Sequence, residues 1–446
     1  MLNRAKTYAY IFMIQTVLLF FLPPLSELGS KESIILYGVY GLFSLVAIGV
    51  FVFSEKKEIS IPSIFMLGFF LICIVTGVWG MLTEGTPISD VVRGILPFAW
   101  YVYILFLPKL DMQYMKKIII TFSITALAFA IRIIVYYVYY VLGNAGKRVT
   151  FVLPSATAMI TMVGMLIFVN YFLVGYKRVA MYIGIVITYM AIVLTATKSM
   201  IIAVVLGVSI LIINQIFFSA NLKKNIIKRT FVVILTLVVT TGVGMADNSI
   251  SQRWLSGLHM ISQMVQDDSE NVGIASNQTS DDSIGNQTSD DSIGNQTSNN
   301  EIPLSDGSVS PRLEEFRVAV KNWKDSPILG KGMGYRWSSD NLGYASGIIY
   351  MHNLIFYLLL DTGLLGISFL CVLIVAIMNM WCKYVKRPEA TEKEMFLLAF
   401  SIIIMAFVYG NFFAVFRNIE YTIACVFFVS LMIKLSQDTC NMSVKK

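Results

Sequence analysis

His352 is one of only two histidines in a chain of 446 residues. An imidazole is the side chain best placed to take up a proton near neutral pH. On position alone, His352 beside Asn353 reads first as an interfacial ring donating to a backbone carbonyl. His259 has no supporting context and reads as structural or exposed. The cations say more. Arg148, Lys198, Arg253, Arg312 and Arg417 fall in connections that the charge pattern places outside, where cations break the positive-inside rule. Any one of them alone reads as a residue snorkelling to lipid headgroups. As a group they stand apart, because several lie beside helix starts, where free amides and the helix dipole attract anions. Arginine adds bidentate phosphate contacts. The chemistry this set of cations implies is capture of a diphosphate. Arg132 lies inside an apolar stretch, where a cation is costly, and is either functional, snorkelling or paired internally.

The elements that must position these residues belong in lipid. Hydrophobic residues make up 57% of the chain and charged residues 14%. Mean hydropathy is +0.72. Soluble domains carry about 25% charged residues, so the second solvent is a bilayer. The net charge of +7 is distributed along loops rather than gathered as a nucleic-acid footprint. Twelve apolar segments are expected to span, centred on 8–22, 34–53, 61–82, 91–108, 117–141, 155–175, 179–195, 199–219, 230–246, 354–382, 394–412 and 419–435. The tenth is too long for one span, and Gly363 with Gly366 divides it into a short interfacial helix and a true span. The first segment is followed by Pro23-Pro24, not a small-residue cleavage site, and is read as a retained span.

Loop charge sets the orientation. With the N-terminus inside, the inner connections carry Arg4 and Lys6, Lys56 and Lys57, Lys116 and Lys117, Lys177 and Arg178, Lys223 and Lys224, and Lys386 and Arg387. This follows the positive-inside rule. Both termini are then cytoplasmic, and a loop of about 247–350 lies outside. The expected organisation is a nine-span region over 1–246, this extracytoplasmic loop, and a three-span region over 351–446.

The loop contains a nine-residue repeat, Asn277–Gly285 and again 286–294, with a decayed copy from Asn295. Nearly free of apolar residues, the repeats over 277–298 cannot bury a core and are expected to be disordered. If they are only a spacer, deleting them should leave activity nearly intact. Order is expected to return at Ser310-Pro311, an N-cap and N1 pair. A helix over 311–325 would place Leu313, Phe316, Val320 and Trp323 on one face and stop before Pro327. Gly330, Gly332 and Gly334 follow in a tight loop. The five cysteines show no metal-ligand spacing and read as small apolar fillers, so neither metal nor cofactor is expected.

The stretch Arg312–Gly334, then His352-Asn353 and Asp361-Thr-Gly-Leu-Leu-Gly366, resembles the signature of the O-antigen ligase/polymerase (Wzy/WaaL) superfamily. Arg148-Val-Thr-Phe-Val-Leu-Pro-Ser resembles that family's Arg-containing loop after the fifth span. Leu194-Thr-Ala-Thr-Lys198-Ser199 resembles its Thr-x-Ser-Arg turn, with Lys where Arg is usual. The resemblance implies an all-α polytopic membrane protein with about twelve transmembrane helices, GT-C-like, with one large extracytoplasmic loop. It implies a nucleotide-sugar-independent glycosyltransferase acting on undecaprenyl-diphosphate-linked glycans at the outer leaflet of the bacterial cytoplasmic membrane. His352 matches the catalytic histidine. Arg148 and Arg312 match the phosphate-binding arginines, and Lys198, Arg253, Asn353 and Arg417 complete the expected substrate-binding set. The partners implied are lipid-linked donor and acceptor, the bilayer and a chain-length regulator, without nucleic acid. Repeat-unit polymerisation into O-antigen, capsule or exopolysaccharide is the leading expectation. The alternatives are an O-antigen ligase acting on lipid A–core and, from a different class, a lipid-linked oligosaccharide flippase. The strong asymmetry between the two halves of the chain argues against the flippase.

Overall fold

The computed structural model describes residues 4–22, 31–52, 60–142, 149–153, 159–218, 223–247, 250–251, 309–339, 344–386 and 392–444. The nine-residue repeats, Arg148, Arg253 and His259 lie outside the described residues.

The protein is an all-α polytopic membrane protein, and helices occupy each of the twelve expected spans. In order they are α1 (Arg4–Leu18), α2 (Lys31–Val52), α3 (Ile61–Thr83), α4 (Ile88–Ala99), α5 (Met112–Tyr136), the short α6 (Val149–Val152), α7 (Met159–Val174), α8 (Arg178–Leu194), α9 (Lys198–Phe218) and α10 (Lys223–Met245). After the long loop come α11 (Val309–Asp325), α12 (Leu354–Val385), α13 (Lys393–Gly410) and α14 (Glu420–Val444). Among the described residues, eight helical segments are long and apolar enough to cross a membrane; α7 and α8 are shorter apolar helices. Ile120, Ile124 and Ile131 of α5 face outward while Ile119, Phe122 and Phe129 are buried. One helix thus carries two equally apolar faces, as a lipid-facing helix must.

α4 continues as 3-10 turns through Trp100–Leu105 and Leu107–Lys109. Pro97 lies inside α4 and removes a backbone donor there. These turns bring Tyr103 and Phe106 against α1, where the Tyr8 and Phe106 rings stack at 4.7 Å. α5 ends in a π turn, Tyr137–Val141, which the sequence did not announce. Arg132, the deep cation of α5, is paired internally. It donates to the Phe20 carbonyl at 3.0 Å and lies over the Phe20 and Tyr136 rings.

α12 is broken at Gly363, whose φ of 61° and ψ of −158° are non-helical. The sequence placed the division at Gly363 and Gly366; the break falls at Gly363. Breaking a helix frees carbonyls before the break and amides after it. The segment following α11 takes up both. Lys331 N–H donates to Leu360 O at 2.7 Å and Gly332 N–H to Asp361 O at 3.2 Å. In return Leu364 N–H donates to Pro327 O at 2.9 Å and Leu365 N–H to Ile328 O at 3.1 Å. Gly330 and Gly363 make this stitch possible. A Cβ on Gly330 would meet the Gly363 nitrogen at 2.7 Å, and one on Gly363 would meet the Gly330 nitrogen at 2.6 Å.

The chain then forms a hairpin of β1 (Trp337–Ser339) and β2 (Tyr344–Ile348), with Trp337 opposite Ile348. Trp337 is buried and donates from Nε1 to Tyr350 O at 3.3 Å. This small antiparallel sheet was not foreseen in the sequence.

Candidate functional site

α11 begins at Val309 and ends at Asp325, immediately ahead of Ser326-Pro327. Its packed face differs from the one hydrophobicity selects. Leu313 and Phe316 are exposed, whereas Glu315 and Ala319, one turn apart, are buried. The apolar stripe read from the sequence therefore does not lead the helix onto the bundle. Phe316 keeps one contact with the bundle, its ring 4.8 Å from that of Phe356.

The buried Glu315 explains the inversion. Its Oε1 lies 2.6 Å from His352 Nδ1, and its Oε2 accepts the His352 backbone N–H at 2.9 Å. The glutamate side chain is 3% exposed and the histidine side chain 33%. One carboxylate therefore grips both the ring and the main chain of His352 where the loop rejoins the bundle. A paired carboxylate can be buried where an isolated one cannot. The Phe413 ring stands edge-on to the imidazole at 6.4 Å. Among the described residues no cluster of His, Cys, Asp and Glu could hold a metal ion.

Asn353 caps α12. Its Oδ1 accepts the Phe356 N–H at 3.1 Å, and its Nδ2 donates to Asn411 O at 3.1 Å. Both ends of the amide thus hold α12 to the end of α13. Arg312 lies one turn ahead of Glu315 on α11 and is half-buried. Lys198 is the first residue of α9, just after the turn in which Ala196 takes a φ of 51°. Arg417 ends the 3-10 turn Val415–Arg417; its side chain, like Arg148 and Arg253 entirely, is outside the described residues. The structure thus brings together His352, Asn353 and the Arg312 helix, and it adds Glu315, which sequence reasoning missed. The signal available was its place three residues after Arg312, on the same helical face.

The α11 end of the bundle is fastened by ion pairs. Arg336 binds Asp90 at the start of α4 with two hydrogen bonds, Nε to Oδ2 at 2.6 Å and Nη2 to Oδ1 at 3.0 Å. This contact holds the guanidinium above its usual range, outweighing partial burial. Lys331 lies 3.0 Å from Glu84, just after α3, and 3.4 Å from Asp325. Burial pulls the Lys331 ammonium down, but the two carboxylates outweigh it and hold it above its usual range.

Below this end, α3, α12, α13 and α14 enclose an apolar cavity of about 240 Å³. Leu354, Leu358, Phe98, Phe416 and Tyr421 are among its walls. Leu354 follows directly on His352-Asn353, so cavity and dyad are neighbours along the chain.

A helical membrane protein with a histidine–carboxylate dyad where its loop rejoins the bundle is the class that fold and site define. Residues 183–371 match the family model described as O-antigen ligase. That match supports the resemblance of this region to the O-antigen ligase/polymerase superfamily. The matched stretch runs from α8 into α12 and contains Lys198, Arg312, Glu315, His352 and Asn353. No curated protein matches the chain.

Proposed function

We propose that this protein polymerises undecaprenyl-diphosphate-linked repeat units at the outer leaflet of the cytoplasmic membrane. In this reading both termini are inside and α11 faces outward. The observation that carries it is the His352–Glu315 dyad, held beside the Arg312 helix within the family-matched region. An acceptor sugar hydroxyl attacks the anomeric carbon of the lipid-linked donor, and its proton passes to His352 Nε2. The bond from that carbon to the diphosphate oxygen breaks, and undecaprenyl diphosphate leaves with the electron pair. Negative charge grows on the leaving group, so Arg312 and Arg148 stabilise the transition state more than the ground state. The cavity beneath Leu354 is apolar and aromatic enough to receive the first isoprene units of the lipid.

The family model is described as O-antigen ligase, which favours a second reading: transfer of finished glycan onto lipid A–core. The two share a donor end and separate by product. Cells relying on a His352→Ala protein should lose surface polymer by a factor of about 10²–10⁴, the usual worth of a positioned base. Loss of a polymerase leaves core with one repeat unit; loss of a ligase leaves bare core. Polymer of normal length and amount in that mutant removes the assignment of His352.

A further inference from the structure

Glu315 takes no step in the reaction written above, yet its side chain is buried against His352. We propose that Glu315 is a positioning residue that, while α11 is docked, fixes the tautomer and orientation of His352. This rests on His352 being the base.

The hydrogen bonds define the arrangement. The His352 backbone N–H can only donate, so Glu315 Oε2 is an acceptor. An ionised carboxylate accepts at both oxygens, so the proton shared with the ring resides on Nδ1. The neutral ring then carries its lone pair on Nε2, the nitrogen directed away from Glu315. That is the nitrogen a hydroxyl proton must reach. Because the same carboxylate also holds the His352 main chain, ring and backbone are referenced to one group on α11. Lifting α11 would release both.

A merely structural role makes a different forecast, and glutamine separates the two. A Gln side chain offers one acceptor oxygen and one donor NH₂. In Glu315→Gln the backbone N–H of His352 claims the oxygen, which turns the NH₂ toward Nδ1. Nδ1 must then accept, the ring proton moves to Nε2, and the base is blocked. In Glu315→Ala nothing dictates the tautomer, and the competent form stays populated. Tautomer control therefore makes Gln more damaging than Ala, by about 10²–10⁴-fold against wild type. A packing role makes Ala the worse of the two.

The readouts are surface glycan in cells holding each variant as sole copy, and imidazole ¹⁵N spectra of the purified full-length protein. His259 is the only other histidine, so a His259→Asn background gives signals from His352 alone. At a pH where the ring is neutral, Nδ1 should be protonated and Nε2 bare, and Glu315→Gln should reverse them. Protonated Nε2 in the parent protein overturns the proposal, whether or not the variants accumulate. So does a Gln variant more active than the Ala variant. His352→Ala serves as the control: full activity there would sink the base reading, while the ring spectrum still judges Glu315 by itself.

Discussion

Two stretches of the same loop reach the bundle by opposite means. The segment 327–332 is held by backbone, its amides and carbonyls pairing with those freed where α12 breaks. α11 and the edge beyond the stitch are held by side chains, Glu315 on His352 and Arg336 on Asp90, and Lys331 inside the stitch adds a side-chain pair with Glu84. Backbone contacts depend on close approach and tolerate most side chains except where a Cβ intervenes. Side-chain contacts depend on one functional group each and are lost singly. The first kind makes a platform, and the second places chemistry on it.

Changes to each kind should therefore differ in size. Gly363→Ala should have the largest effect. It puts a Cβ at φ 61°, against the Gly330 nitrogen at 2.6 Å. The expected cost is ~3 kcal/mol or more from left-handed strain plus collision. Thermal unfolding in detergent micelles and tryptic cleavage at Lys331 would report it; an unchanged melting temperature would mean the stitch is not what holds the segment. Arg336→Ala comes next. It removes both hydrogen bonds to the buried Asp90, leaving that carboxylate the Arg93 guanidinium at 3.6 Å. Because Arg336 is itself nearly half exposed, the loss should be about 1–2 kcal/mol. A melting temperature lowered as far as in Gly363→Ala would erase the distinction drawn here. Glu84→Gln should be the mildest, under about 1 kcal/mol, because Lys331 keeps Asp325 at 3.4 Å. A larger drop would show that this pair anchors the loop alone.

The same division governs what the sequence reveals. Spans announce themselves because lipid-facing helices are apolar all round. Pro327 ends α11 and Gly363 breaks α12 through backbone chemistry, which is local and therefore readable. The docked face of α11 was not readable. Hydrophobic spacing selects Leu313 and Phe316, yet Glu315, a carboxylate with a fixed donor pair on His352, takes the buried side. The Arg336–Asp90 contact joins residues 246 apart in sequence, and no local pattern links them. The paired strands 337–339 and 344–348 are too short to leave a period. Of the cations singled out, only Arg312 is placed on the helix that carries the dyad, and Lys198 stands at the head of α9.

The stitch at Gly363 has one more consequence, which concerns chain length. Four amide–carbonyl pairs lie on both sides of Gly330, so the spacing from Pro327 to Gly332 is counted against Leu360 to Leu365 like teeth on two racks. One residue inserted between Leu329 and Gly330 leaves no way to satisfy both sets at once. A change in the length of this loop must be absorbed where no such count is kept, and His352 then keeps its place at the head of α12.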